Sequence, residues 1–409
     1  MRFFERVKKL DPAYVIVPLT VFAVIWVIAA FTGQWPWNDN GYNSYTLQAC
    51  SWLEGRLDLG QDYPWLELAI YEGKYYVSFP PFSSYVMLPF AMIFGVNTPD
   101  HWIALAVTLL GAVYAVRLYL AVARTSRYLE FFVLFLYLSS GLLFVSMNGY
   151  VWFIAQSMSF TLSLMALTYA VEGKGGLSLV FWACAVGCRP MIVVYFPLLV
   201  YILWKKWKEE NPRGTILQMI KKKWTWCIAT GILALSYMIL NVLRFGNIVE
   251  FGHNYLPEFT RTTTGQFNLS YLLHNLKCLV RLPGTGGDGN ALTFFTADGM
   301  AFWLITPLFL TMFAAWVYGW KKRRKEYQTL LIMIPVLVLV HVFIICCHKT
   351  LGGWHFGNRY LLDTLPYLFL GFLLWRPKND TFVRWNIPLF FLGLAVNLVG
   401  TVATYNNWI

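Results

Sequence analysis

Charge is scarce in this chain. Asp, Glu, Lys and Arg make up only 13% of its 409 residues, while 58% are hydrophobic. A soluble domain carries about 25% charged residues. A soluble globular fold is therefore excluded, because it could not hide so much apolar surface. Alternation is lacking as well: the apolar residues come in long blocks. The blocks at 14–31, 102–123, 224–243, 300–320 and 386–404 are nearly or fully free of charge. Each is about 20 residues, the length that carries a helix across a hydrocarbon core. Backbone polar groups must be satisfied inside lipid, so helices rather than open strands are expected.

Other absences narrow the function. There is no phosphate-cradling glycine loop with its lysine, no zinc-protease histidine pair and no nucleophile elbow. No soluble nucleotide-binding domain is evident, which argues against an ATP-driven pump or a nucleotide-sugar enzyme with a cytosolic catalytic domain. The seven cysteines are scattered. Neither the Cys184/Cys188 pair nor the Cys346-Cys347-His348 run has the spacing of a closed metal site. Cys50 and Cys278 fall in expected external segments and could pair. No small-residue cleavage site follows the first apolar block, so it reads as a retained span and not a signal peptide.

The net charge is +12. In a soluble protein that would suggest nucleic acid, but here the basic residues sit in short runs between apolar blocks. Orientation in a bilayer explains them, and no nucleic-acid partner is expected. Arg2, Arg6, Lys8 and Lys9 put the N-terminus in the cytoplasm. Lys205 to Lys223, Lys321 to Lys325, and Arg376 with Lys378 and Arg384 mark further internal loops. Segments 32–100, 244–298 and 349–359 then lie outside. The stretch 77–96 holds Pro80, Pro81 and Pro89, which break helix hydrogen bonding. It reads either as a short external element or as a full span. In the first case 177–204 makes two passes split at Arg189-Pro190. In the second it is one long helix, and Arg124 and Arg127 lie outside. Both counts give eleven spans. The fold class expected is an all-α polytopic membrane protein forming one domain over 1–409. Amphipathic stretches at 41–57 and 269–282 suggest interfacial helices, and Gly284 to Gly289 must form a turn.

Several polar residues sit where chemistry could happen. Asp39, just past the first span, could deprotonate an acceptor hydroxyl. Equally, Asp39 or Asn40 could cap the following helix. Arg189 interrupts an apolar block; such a charge marks a pathway or a partner. Its guanidinium suits a phosphate, or it is structurally paired. His355 and Arg359, four residues apart before a late span, could bind phosphate or stabilise a leaving group, or merely anchor the interface. Asp363 could pair with Arg359 by the same four-residue spacing. Arg244, His253 and Tyr255 open the second external loop and offer sugar-binding groups. Lys74 could touch a donor phosphate or be solvated.

These features together resemble the GT-C superfamily of membrane glycosyltransferases, nearest the bacterial protein-mannosyltransferase and aminoarabinose-transferase type. The likeness rests on Asp39 with the interfacial stretch ending Leu53-Glu54-Gly55-Arg56-Leu57, on Gly73-Lys74-Tyr75-Tyr76 leading to Pro80-Pro81, on Arg189-Pro190, and on Phe356-Gly357-Asn358-Arg359-Tyr360 with Arg244-Phe245-Gly246. It implies a polyprenyl-phosphate-sugar donor and an inverting transfer at the extracytoplasmic face of a bacterial cytoplasmic membrane. It further implies a catalytic Asp39, with Arg189, Arg359, His355 and Lys74 on the donor phosphate and Arg244, His253, Tyr255 and Asn40 on substrate. The chain departs from the family in showing no soluble C-terminal domain and in following Asp39 with Asn40 instead of an acid. That favours a glycan or lipid acceptor over a protein. No metal ligand is assigned, and use of a divalent metal stays open. A flippase of lipid-linked saccharides and a polysaccharide polymerase or ligase are the rival readings.

Overall fold

The computed structural model describes residues 11–285, 292–322 and 327–409. The basic N-terminal cluster, Lys325 and Gly286 to Gly289 lie outside them. Almost everything described is helical, and the only strands are two short hairpins among the described residues. Among the described residues, seven helices are long and apolar enough to cross a membrane: Ala13–Thr32, Asp100–Ala123, Val151–Val171, Pro190–Trp207, Trp224–Phe245, Gln328–Cys346 and Asp380–Tyr405. The other four expected crossings coincide with shorter pieces: Leu129–Leu138 continued by Leu142–Val145, Gly175–Val186, Leu308–Lys322 and Leu365–Trp375. The 300–320 block is thus not one helix. Pro307 stops the Phe302–Ile305 turn, and a new helix starts after it.

The Val151–Val171 helix is the axis of the molecule. It is buried over 94% of its apolar stretch, against 6% for the Trp224–Phe245 helix. Centrality follows from composition: Ala155, Ser157, Ser159, Ser163 and Ala166 are small and let neighbours approach closely. The outlying helix instead turns Ile232, Leu235, Ile239 and Leu243 outward, a face suited to lipid.

The proline-bearing segment 77–96 does not form a full-length helix. Pro80 and Pro81 precede a 13-residue helix, Phe82–Phe94, that carries Pro89 inside it. The 177–204 block is split where Arg189-Pro190 stands. Gly175–Val186 ends, Arg189 is extended at φ −140° and ψ 101°, and a 3-10 turn Pro190–Tyr195 leads into Phe196–Trp207. Proline disfavours helical geometry in the residue before it. Irregular backbone at such depth is tolerated only against protein or a cavity.

The segment after the first long helix folds more fully than its sequence suggests. The interfacial stretch becomes the Ser44–Leu53 helix, with Tyr45 and Ala49 buried. Leu68–Tyr71 and Lys74–Val77 pair as an antiparallel hairpin, with Leu68 opposite Val77 and Tyr71 opposite Lys74. Its two turn residues, Glu72 and Gly73, have φ of 50° and 73°, as a two-residue hairpin loop requires. The hairpin packs on Phe245 through Tyr71 and Tyr76 at ring separations of 5.7 and 5.2 Å. All seven cysteines are free thiols, so Cys50 and Cys278 do not pair.

Asn40 joins the loop to the bundle. Its amide donates to Asp100 Oδ2 and to the Gly149 carbonyl, each at 2.9 Å, and its Oδ1 accepts from the Tyr42 N–H. Thr46 donates to the other Asp100 oxygen at 2.6 Å. Asp100 stands in the first turn of its helix, where the positive end of the dipole favours a carboxylate. Replacing Asn40 with Ala strips from a buried acid one of its two side-chain donors and leaves the Gly149 carbonyl without this partner. It should cost about 1–3 kcal/mol, read as a lower thermal unfolding midpoint in detergent.

Candidate functional site

The break at Arg189 and the 3-10 turn Arg359–Thr364 face each other. Arg189 Nε donates to Asp363 Oδ2 at 3.0 Å, and its Nη2 lies 3.0 Å from the same oxygen. The second Asp363 oxygen accepts from Gln156 on the axial helix. The Asp363 side chain is fully buried. Spacing alone pairs Asp363 with Arg359, four residues earlier; the structure corrects this. Four-residue pairing belongs to an α-helix, whereas a 3-10 turn eclipses residues three apart. Tyr360 and Asp363 accordingly share a face, and Arg189 lies against both, 4.6 Å from the Tyr360 ring centroid.

Arg359 is left without an acid. Among the described residues it has no ion-pair partner, and its Nε is buried without a hydrogen bond. Its guanidinium lies 5.1 Å from the Tyr360 ring centroid. Gly352, at φ +109°, makes room for it: a Cβ there would fall 2.9 Å from Arg359 Nη2. A buried, unpaired guanidinium is costly unless an anion arrives.

Both guanidinium groups line a cavity of about 150 Å³. Glu67, Glu258, His253, His348 and Gln266 line it as well. Glu67 immediately precedes the first hairpin strand, and its carbonyl accepts from Ser78 Oγ at 2.9 Å. Its carboxylate accepts from Trp152 Nε1 at 2.9 Å. Trp152 and Gln156 are one turn apart on the axial helix, so a single helix face fixes Glu67 and Asp363 together. Burial pushes the Glu67 carboxyl up, against the pull of the Trp152 hydrogen bond and Arg359. Burial, then the neighbouring Glu67, pushes Glu258 up. His253 donates from Nδ1 to the Ser78 carbonyl at 3.3 Å. His348 donates to the Thr350 carbonyl at 2.7 Å and faces the Gln266 amide at 3.2 Å.

Of the residues singled out in the sequence, Arg189, Arg359 and His253 meet in this cavity. The others do not line it. Asp39 is exposed on the loop beside the Asn40 knot. Lys74 is exposed at the hairpin turn. Arg244 is buried but fastens the hairpin, donating to the Val77 carbonyl and to Asn241 Oδ1, each at 3.2 Å. Tyr255 packs against Tyr71, ring centroids 4.6 Å apart and tilted by 47°. His355 precedes the turn instead of sharing a helix face with Arg359, and it donates to the Gly353 carbonyl at 2.7 Å. Glu67, Glu258, His348 and Gln266 were not foreseen. For Glu67 the signal was available: an acid in the middle of Leu66-Glu67-Leu68-Ala69-Ile70, an otherwise apolar run. Among the described residues, no three His, Cys, Asp or Glu side chains gather as a metal site.

A second, apolar groove of about 500 Å³ adjoins the same turn. It is lined by Leu279, Phe309, Trp316, Val338 and Leu368, together with Leu361 and Thr364. Leu361 and Thr364 are again three apart. One short turn thus shows guanidinium and phenol to the polar cavity and an apolar face to the groove.

No protein-family model matches the chain, and no curated protein matches it. Solved structures do. The ArnT structure from Cupriavidus metallidurans bound to undecaprenyl phosphate matches with a TM-score of 0.52 at 13% identity, over 97% of this chain and 77% of that one. The apo form of the same ArnT gives 0.47 at 13% identity, over 90% and 62% of the two chains. The apo oligosaccharyltransferase of Archaeoglobus fulgidus gives 0.47 at 12% identity, over 97% and 56%. The chain shares the fold of the undecaprenyl-phosphate-bound ArnT structure.

Three histidines around the site are held neutral. Burial first, then the neighbouring His348, pushes His253 down to about 3. Burial pushes His348 down to about 4. Burial and then Arg359 push His355 down to about 3. The unfolded chain protonates its histidines near pH 6.5. Below that pH it binds protons the folded state refuses, so stability is lost as pH falls from about 6.5 toward about 4. The thermal midpoint should drop over this window, and His355→Asn should make the slope shallower.

Proposed function

We propose that the protein transfers a sugar from a polyprenyl-phosphate-linked donor to a hydroxyl of a glycan or lipid acceptor, with inversion, at the extracytoplasmic membrane face. The observation that carries this reading is the two-faced Arg359–Thr364 turn. It borders a cavity with two buried guanidinium groups on one side and a purely apolar groove on the other. An amphiphile with an anionic head and a long hydrocarbon tail satisfies both. The undecaprenyl phosphate bound in the ArnT structure is such a molecule, and the shared fold supports the same ligand class here.

In this reading Arg189 and Arg359 hold the donor phosphate. The acceptor oxygen attacks the anomeric carbon from the opposite side. The bond from that carbon to the phosphate oxygen breaks, and the electron pair leaves with the phosphate. Guanidinium groups aimed at the developing charge lower the barrier. The acceptor hydroxyl loses its proton to a carboxylate. We assign that base to Glu67 and not to Asp39, because Glu67 lines the cavity and Asp39 is exposed outside it. Burial raises Glu67 toward neutrality, which improves a general base. Glu258, His253 and Gln266 supply hydrogen-bonding groups for the acceptor or the sugar.

The test uses purified protein in nanodiscs with a panel of polyprenyl-phosphate sugars and measures release of free polyprenyl phosphate. Glu67→Gln should lower turnover by about 10²–10⁴-fold while donor still binds. Arg359→Gln should weaken donor binding by about 1.5–3 kcal/mol. Translocation of donor without product, unchanged in Glu67→Gln, would identify a flippase instead.

A further inference from the structure

Arg189 and Arg359 are both buried cations against Tyr360, yet they are not equivalent. Arg189 is neutralised from behind by Asp363, a carboxylate that does not line the cavity. It has no exposed side-chain surface, and the Gln156 amide fixes its second oxygen. Arg359 has no such counter-ion among the described residues. Two cations less one anion leave a single positive charge on this wall. Glu67, Glu258, His253 and His348 line the same cavity, and their contribution is common to the wild type and to variants at 363 or 189, so it cancels in a comparison between them.

The two ends of the proposed reaction differ in charge. A phosphodiester carries one negative charge. A phosphomonoester carries about −1.5 to −2 at pH 7. One net cation matches the first and under-matches the second. Resting on the donor reading above, we propose that Asp363 is a positioning and specificity-determining residue. It fixes the Arg189 guanidinium and holds the cationic wall to one net charge, so that the site favours a lipid phosphodiester over the lipid phosphomonoester left after transfer. A site with two uncompensated guanidinium groups would hold that monoester more tightly and release it more slowly.

The geometry bears on orientation as well as charge. Asp363 accepts from Nε and Nη2 of Arg189, which leaves Nη1 as the terminal donor for the cavity. Tyr360 stacks on the same guanidinium and limits its rotation. The arrangement is rigid, so the charge count can be altered without moving the donor.

The experiment measures binding of two probes to the full chain in nanodiscs at pH 7.5: farnesyl phosphate, a monoester, and farnesyl methyl phosphate, a diester. The readout is the ratio of the two dissociation constants, which a general loosening of the fold would not move in one direction. Asp363→Asn should shift the ratio toward the monoester by about tenfold, since one unit of charge at this range is worth at least that in a protein interior. Arg189→Gln should shift it toward the diester by a similar factor. The double variant R189Q/D363N should return to the wild-type ratio, with both probes bound more weakly. Where D363N alone does not fold, the step from R189Q to the double variant carries the same shift. An unchanged ratio in these variants, with both probes still bound, overturns the role of Asp363 and leaves the donor reading intact. Failure of the wild type to bind either probe overturns the donor reading and this one together.

Discussion

A buried guanidinium needs polar partners or an anion, and of the two that line the cavity only Arg189 has a carboxylate bonded to it. The desolvation penalty for a lone buried charge is several kcal/mol even after relaxation. Arg189 meets it with Asp363, which is itself steadied by Gln156. Arg359 has no ion pair among the described residues; the faces of Tyr360 and Phe153 lie 5.1 and 5.8 Å away, and Glu67 acts on it only at longer range. In the proposed function, this unpaired charge is what a donor phosphate would neutralise. The rest of the chain holds that imbalance in place. The broken helix presents Arg189, the axial helix supplies Gln156 and Trp152, and the glycine at 352 keeps space for Arg359.

The segments between the long helices pack over the cavity. Water would screen the guanidinium groups and weaken their grip. The hairpin and the segment around His253 close one side. Ser78 joins them, its hydroxyl donating to the Glu67 carbonyl and its own carbonyl accepting from His253. The Asn40–Asp100–Thr46 knot then pins the first loop to the bundle. Asn40, read in the sequence as a substrate contact, works here as structure, and the neighbouring Asp39 carboxylate stays outside the chamber.

Much of the architecture was legible in the sequence because membrane helices announce themselves by length and composition. The break at Arg189-Pro190 was legible too, since a charge and a proline side by side interrupt an otherwise apolar block. Arg359 and His253 were reached from their position in external segments. What stayed hidden depends on pairing across distance. Glu67 is a single acid in an apolar run. Its importance comes from Trp152, 85 residues away, and no spacing rule links them. The Glu72-Gly73 turn was readable by hairpin chemistry, but the Gly73-Lys74-Tyr75-Tyr76 run reads as a lead into a helix when judged by its prolines. Arg244 and Lys74 look like ligands by charge alone. One is consumed by a backbone carbonyl and the other faces solvent.

The sharpest difference between spacing and structure lies in the turn at 359–364, and it is instructive about mechanism. Read as an α-helix, Arg359 and Asp363 would neutralise each other and Arg189 would stand alone. The anion site would then sit on the broken helix, remote from the apolar groove. The 3-10 geometry changes the period from about 3.6 to 3 residues. Asp363 moves under Tyr360 and meets Arg189, while Leu361 and Thr364 align on the groove side. Arg359 is thereby freed on the same turn that borders the groove. Pro366, at the start of the Leu365–Trp375 helix, helps set this change: it has no N–H to offer the Leu362 carbonyl, which accepts instead from the Leu365 N–H in a 3-10 bond. A switch of helical period over six residues thus places the free charge where head and tail of one lipid can be held at once.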